Sequence, residues 1–186
     1  MASSRLARRY AKALIEMAVQ QDTVESITAD VRELLANIAA SRELSLLFQS
    51  PVIKPELKKK VIGEIYRSKL NDLTLMFMEV VIDKRREQWI ADMLNAYVVL
   101  YNELKGIVPV NVITATEMNE ELEAEFKAMM QKEFGINKME MSREVNREII
   151  GGFILQFEDK RYDASVQNML DQIRKDLHNQ VNVKMS

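Results

Sequence analysis

From residue 4 to about 105, apolar positions recur with the 3.6-residue period of helices. Leu6, Tyr10, Ala13 and Met17 fall at i, i+4, i+7 and i+11, one face of a first helix, and Ala7, Ala11, Leu14 and Ala18 run beside them as a second stripe. Val24, Ile27, Val31, Leu34, Leu35 and Ile38 make a single apolar face over residues 23–39. Leu44, Leu47 and Phe48 predict a short third helix, stopped by Ser50 and Pro51. Pro55 suits the first turn of a fourth helix with Leu57, Val61, Ile65 and Tyr66 inward. Asn71 or Asp72 caps a fifth helix running through Ile82. A sixth follows from about Glu87, turns Ile90, Met93, Leu94, Tyr97 and Tyr101 inward and ends at Gly106. Six short amphipathic helices predict a compact bundle.

The fifth helix departs from this pattern. Leu73, Leu75, Met76, Phe77, Met78, Val80, Val81 and Ile82 cover nearly its whole circumference. A helix that is apolar all round is buried on all sides, so it is either the central helix of the bundle or one whose second face awaits a partner helix. The doubled stripe of the first helix raises the same alternative.

At Gly106 the period shortens from 3.6 to 2. Val108, Val110 and Val112 alternate with Pro109 and Asn111, which predicts a strand with its proline near the start or on an edge, and a domain boundary. Thr114 or Thr116 then begins a helix with Met118, Leu122, Phe126 and Met129 on one face, closed by Gly135. Met139 and Met141 mark a second strand and residues 152–157 a third. A tight turn at Glu158-Asp159 leads to a fourth strand at 161–163. Ser165 caps a last helix with Val166, Met169, Leu170, Ile173 and Leu177 inward. The expected fold class is α+β overall: an N-terminal six-helix bundle over 1–105 followed by a small C-terminal α/β domain over 106–186.

Composition narrows what such a chain does. Its 186 residues, 47% apolar and 29% charged, suffice for a buried core and lie far from disordered compositions. The absence of cysteine excludes disulfides, thiolate catalysis and Cys-based zinc sites, and suits a cytoplasmic setting. No apolar run approaches the roughly 20 residues of a membrane span, so membrane attachment is expected only through a partner. The basic opening (Arg5, Arg8, Arg9, Lys12) resembles a transit peptide in charge, but its apolar stripes continue into the predicted helix, which marks it as part of the fold. A net charge of −2 argues against a dedicated nucleic-acid binder. The six Lys/Arg of 54–69 and the six Glu of 117–134 are read as solvated helix faces.

No constellation suggests catalysis. His178 is the only histidine and has no neighbouring nucleophile or ligand set. Gly151-Gly152 lacks the spacing and lysine of a phosphate loop and instead marks a bulge or a close backbone approach. Glu120, Glu121, Glu123 and Glu125 point in different directions on a helix and form no cation cage. No catalytic residue, cofactor or metal is expected.

Three segments carry a resemblance. Arg8-Arg9-Tyr10-Ala11-Lys12-Ala13-Leu14 is similar to the opening of the ATP synthase delta and oligomycin-sensitivity-conferring subunits. Asp83-Lys84-Arg85-Arg86, followed by Ile90 and Met93, resembles the arginine-centred junction between that family's fifth and sixth helices. Ile150-Gly151-Gly152-Phe153, Asp159-Lys160 and Asp163-Ala164-Ser165-Val166 match its C-terminal signature in order and spacing. Two positions depart from it: Glu158 and Ala164 stand where the family usually has glycine, which puts the local turn geometry in question.

The resemblance implies a non-catalytic stator subunit, one copy in a hetero-oligomeric complex, that couples rotor torque to ATP synthesis and proton transport. It implies that the bundle receives the N-terminal helix of an alpha subunit in a groove between the first and fifth helices. Matched residue by residue, the groove candidates are Tyr10 and Ala13 on the first helix and Met76 and Val80 on the fifth, and the small residues Ala7 and Ala13 are expected to let the visiting helix come close. The C-terminal domain is implied to hold the b subunits of the peripheral stalk, and the protein to sit peripherally at the cytoplasmic face of the cell inner membrane. The alternative from the residues alone is a helical adaptor or scaffold of another complex.

Overall fold

A computed structural model describes residues 2–174 of the chain, with side chains from residue 4. It divides into two compact units, Met1–Lys105 and Gly106–Ser186. No helix among the described residues is long and apolar enough to cross a membrane.

The first unit is all helical: α1 (Ala2–Gln20), α2 (Val24–Ala40), α3 (Arg42–Gln49), α4 (Pro55–Tyr66), α5 (Asp72–Asp83) and α6 (Ile90–Lys105), the last entered through a 3-10 turn at Glu87–Trp89. Caps hold the ends where the sequence supplies them. Ser41 accepts the Leu44 N–H at 3.1 Å, Pro55 occupies the first turn of α4, and Asn71 accepts the Leu73 N–H at 2.9 Å. Asp30 of α2 reinforces the start of α5 from a distance, accepting the Asn71 N–H at 2.8 Å and the Thr74 hydroxyl at 2.7 Å. A carboxylate at a helix N-terminus satisfies orphan donors and opposes the positive end of the helix dipole, which accounts for its burial.

Ala7, Ala11, Leu14 and Ala18 form the buried row of α1, and their small side chains let it lie closely along α6. Ile90, Met93, Leu94, Tyr97 and Tyr101 are the inward face of α6, as the periodicity predicts. The Tyr97 hydroxyl is satisfied inside by Thr28 at 3.2 Å, and burial raises its pKa.

On α4 the expected face is only partly right: Tyr66 is buried and Val61 half-buried as expected. Leu57 and Ile65 are exposed, and the buried row is Lys58, Ile62 and Tyr66. The cause is an ion pair: Lys58 Nζ lies 2.6 Å from Glu87 Oε1 and donates to the Ser50 carbonyl at 2.7 Å. A lysine paired and hydrogen-bonded in this way occupies a position that an apolar residue normally takes, turning the helix about its axis.

In the second unit, β1 (Val108–Thr114), α7 (Glu120–Phe134), β2 (Met139–Val145), β3 (Phe153–Phe157) and β4 (Lys160–Asp163) build a four-stranded sheet of order β2-β1-β3-β4. β1 and β2 are parallel, Val108 opposite Met139, with α7 as their crossover. β1 and β3 are antiparallel, Val112 opposite Leu155, and β3 and β4 form a hairpin. Val110, Val112, Leu155 and Phe157 pack against Phe126 and Met130 of α7. Phe126–Phe153 and Phe134–Phe157 edge contacts at 4.8 and 4.9 Å close that core.

The helix start expected at Thr114 or Thr116 falls instead at Asn119, whose side chain accepts the Leu122 N–H at 2.9 Å. Thr114 is still a strand residue, paired with both Val145 and Phe153, so β1 consumes one of the two expected caps. Gly135, at φ 70°, closes α7 as predicted.

The turn expected at Glu158-Asp159 joins β3 to β4, and Glu158 stands at φ 51°, where glycine is unstrained and glutamate is not. Ala164 keeps a negative φ, so its departure from glycine strains nothing. Gly152 makes the close approach predicted for the doublet: a Cβ there would fall 2.2 Å from the Ala164 carbonyl oxygen.

Residues 166–174 are helical (α8), capped by Ser165, which accepts the Asn168 N–H at 3.1 Å. Val166, Met169, Leu170 and Ile173 were expected inward but are exposed. Their i, i+3, i+4, i+7 spacing gathers them on one face that no described element covers. Leu177 and His178 lie outside the described residues.

Candidate partner-binding surface

Two faces of α1 have different surroundings. Its alanine-rich row is taken up by the interior and by α6. Tyr10 is half-buried, and Ala13 and Met17 are exposed. α5 divides in the same way: Leu73, Thr74, Met78, Val81 and Ile82 are buried, whereas Met76 is 57% and Val80 44% exposed. Of the two alternatives for this helix, a free second face is therefore the one found.

Tyr10 and Phe77 connect the two open faces. Their rings meet edge to face at 6.4 Å, and Arg86, just beyond the end of α5, donates from Nη1 to the Tyr10 hydroxyl at 2.8 Å. α1 and α5 otherwise touch little, while α1 and α6 run together over much of their length. The result is an apolar strip with Tyr10 and Phe77 between the helices, Ala13 and Met17 on one rim, and Met76 and Val80 on the other. The i, i+4 spacing along each rim suits the side chains of a visiting amphipathic helix.

Ala7 does not belong to this strip. It is 2% exposed and lines a cavity of about 370 Å³ on the opposite side of α1, with Asp92, Ala96 and Val99 of α6. It was expected in the groove because a small side chain lets a visiting helix come close; here that closeness serves the packing of α1 on α6. In the sequence Arg86 stood out only within the arginine-centred junction that resembles the family's, with no hint of its partner. Its bond to Tyr10 spans 76 positions, and local periodicity carries no trace of it.

Groups with shifted pKa values lie elsewhere and have structural causes. Glu25 is held below the usual carboxylate range by Lys105 at 2.6 Å and by the Tyr101 hydroxyl at 2.9 Å. Asp163 is lowered by the Ser165 hydroxyl at 2.6 Å and, after the opposing effect of burial, by the Ser165 N–H at 3.1 Å. Among the described residues no group of three His, Cys, Asp or Glu side chains is placed to hold a metal ion.

Comparison with known proteins agrees with this anatomy. A family model described as ATP synthase delta (OSCP) subunit matches residues 6–177. The ATP synthase subunit delta of Flavobacterium psychrophilum is 34% identical over 179 residues, covering 96% of this chain and 100% of that protein. That of Desulforamulus reducens is 32% identical over 169 residues, covering 91% of this chain and 93% of the relative. A chain of the Toxoplasma gondii mitochondrial ATP synthase hexamer superposes with a TM-score of 0.75 at 18% identity, covering 92% of this chain and 97% of that one, which shows a shared fold. With the family model spanning nearly all of the sequence, the chain belongs to the ATP synthase delta (OSCP) subunit family, the non-catalytic peripheral-stalk subunits of F-type ATP synthases.

Proposed function

We propose that the strip between α1 and α5 receives the N-terminal helix of an ATP synthase alpha subunit, with Tyr10, Ala13, Met76 and Val80 as contacts. The observation that carries this reading is apolar surface left uncovered on two adjoining helices. A docked helix buries that surface at about 25 cal/mol per Å², and its side-chain repeat fixes the register. The second unit holds the b subunits of the stalk, and the apolar face of α8, which no described element covers, supports that assignment. One copy then links head to stalk at the cytoplasmic face of the cell inner membrane, without entering the bilayer.

The role is mechanical. Rotor torque tends to turn the catalytic head, and a subunit gripping head and stalk at once opposes that motion. Affinity and stiffness are what it contributes. Calorimetric titration of the full chain with a synthetic peptide of the alpha N-terminus tests the head contact: a saturable one-to-one heat at micromolar peptide is expected, and no heat at hundred-micromolar peptide rejects it.

A further inference from the structure

Ile150 holds a conformation from which its own fold gains nothing visible. Its φ of 66° and ψ of −43°, with the Gly151 N–H donating to the Ile149 carbonyl at 2.7 Å, define the strained, positive-φ form of the γ-turn. For a β-branched residue this region is an outlier. The next two residues are glycines, yet the strained place is filled by isoleucine. The side chain is not repaid by burial, being 61% exposed, whereas Ile149 before it is 6% exposed and packs with Ile113 and Ile154.

The loop is held firmly enough to keep that strain. Asn146 accepts the Glu148 N–H at 2.9 Å, and the Val166 N–H donates to the Gly151 carbonyl at 3.0 Å. Gly151 lies so close to α8 that a Cβ on it would fall 3.2 Å from Val166 Cγ2. Ile150 thus stands one residue from a contact with Val166, the first member of the exposed stripe that Met169, Leu170 and Ile173 continue. Strain maintained by its surroundings is typical of binding clamps.

We propose that the γ-turn presets Ile150 as an anchor for the stalk helix that docks on α8. This deepens, and rests on, the reading that the second unit holds the b subunits. A helix is the fitting occupant, because the stripe has helical spacing and the exposed, apolar Ile150 stands beside the residue that touches its first member. The flanking charges, Arg147 and Arg174 against Glu148 and Asp171, are balanced, which does not suit an anionic lipid surface or nucleic acid.

The test uses the full chain and the water-soluble part of the b subunits. Ile150→Gly relieves the backbone and should raise Tm by about 2–4 °C, yet weaken binding by about tenfold. Ile150→Val keeps the branched side chain and should bind within about threefold of wild type. Met169→Glu, on the stripe itself, should also weaken binding. Unchanged binding of Ile150→Gly while Met169→Glu weakens it overturns the anchor and leaves the stalk reading standing; unchanged binding of both overturns the two together. A fall in Tm for Ile150→Gly makes Ile150 structural and overturns the proposal. Sedimentation of the chain alone as a dimer that Ile150→Gly dissociates assigns the face to a second copy and overturns it as well.

Discussion

Substitution of Met76 by lysine separates binding from folding with little ambiguity. Met76 lies within α5 with 57% of its surface still open. Full burial of a methionine side chain stabilises by about 1.5–3 kcal/mol, so roughly 0.9–1.7 kcal/mol remains for a partner to gain. Loss of that contact alone weakens binding by about 5- to 20-fold, and partial desolvation of the ammonium adds to it. The isolated bundle should not suffer. Lysine is nearly as good a helix former as methionine, and Asp72 and Glu79, at i−4 and i+3, offer it favourable pairs of about 0.2–0.5 kcal/mol each. Calorimetry with the alpha N-terminal peptide, beside thermal denaturation followed by circular dichroism, reads both quantities. An affinity within twofold of wild type, or a loss of more than about 5 °C in Tm, refutes the reasoning, the first by removing Met76 from the interface and the second by placing it in the core.

Other outcomes follow from the same structure. Lys58→Met leaves Glu87 as an uncompensated buried carboxylate and should cost about 3–5 kcal/mol in urea unfolding, whereas adding Glu87→Leu should recover most of the loss. Gly152→Ala, whose methyl would meet the Ala164 carbonyl at 2.2 Å from a φ of 73°, should lower Tm clearly; Gly63→Ala, within α4 and with nothing inside 4 Å, should raise stability by about 0.5–1 kcal/mol. Asp163 has a folded pKa below its unfolded one, so its stabilising contribution is present above about pH 3.9 and is lost as pH falls through the lower folded value. Ser165→Ala should move the Asp163 carboxyl pKa upward in an NMR titration, narrowing that acid window.

The sequence was most legible where apolar spacing alone decides the outcome. The two stripes of α1 and the all-round apolar α5 are visible without coordinates, and Met76 and Val80 are indeed open. Gly152 was legible too, because only a missing side chain permits its approach to Ala164. What escaped is what depends on a distant partner. Lys58 reads as a solvated charge until Glu87, 29 positions away, is brought beside it. Ala7 and Ala13 look alike in sequence, and only the position of α6 separates them. The stripe of α8 reads as core because periodicity reports an apolar face, not whether the same chain covers it. Asp30 capping α5 and Arg86 holding Tyr10 are of the same kind, single bonds across long loops that leave no local signal.

The central claim is that a helix of the alpha subunit lies between α1 and α5, and methyl NMR during titration with the alpha N-terminal peptide tests it most directly. The predicted result is perturbation concentrated at Ala13, Met17, Met76 and Val80. Shifts confined to Val19, Val99 and Leu104, the exposed apolar residues on the α6 side of α1, would contradict it.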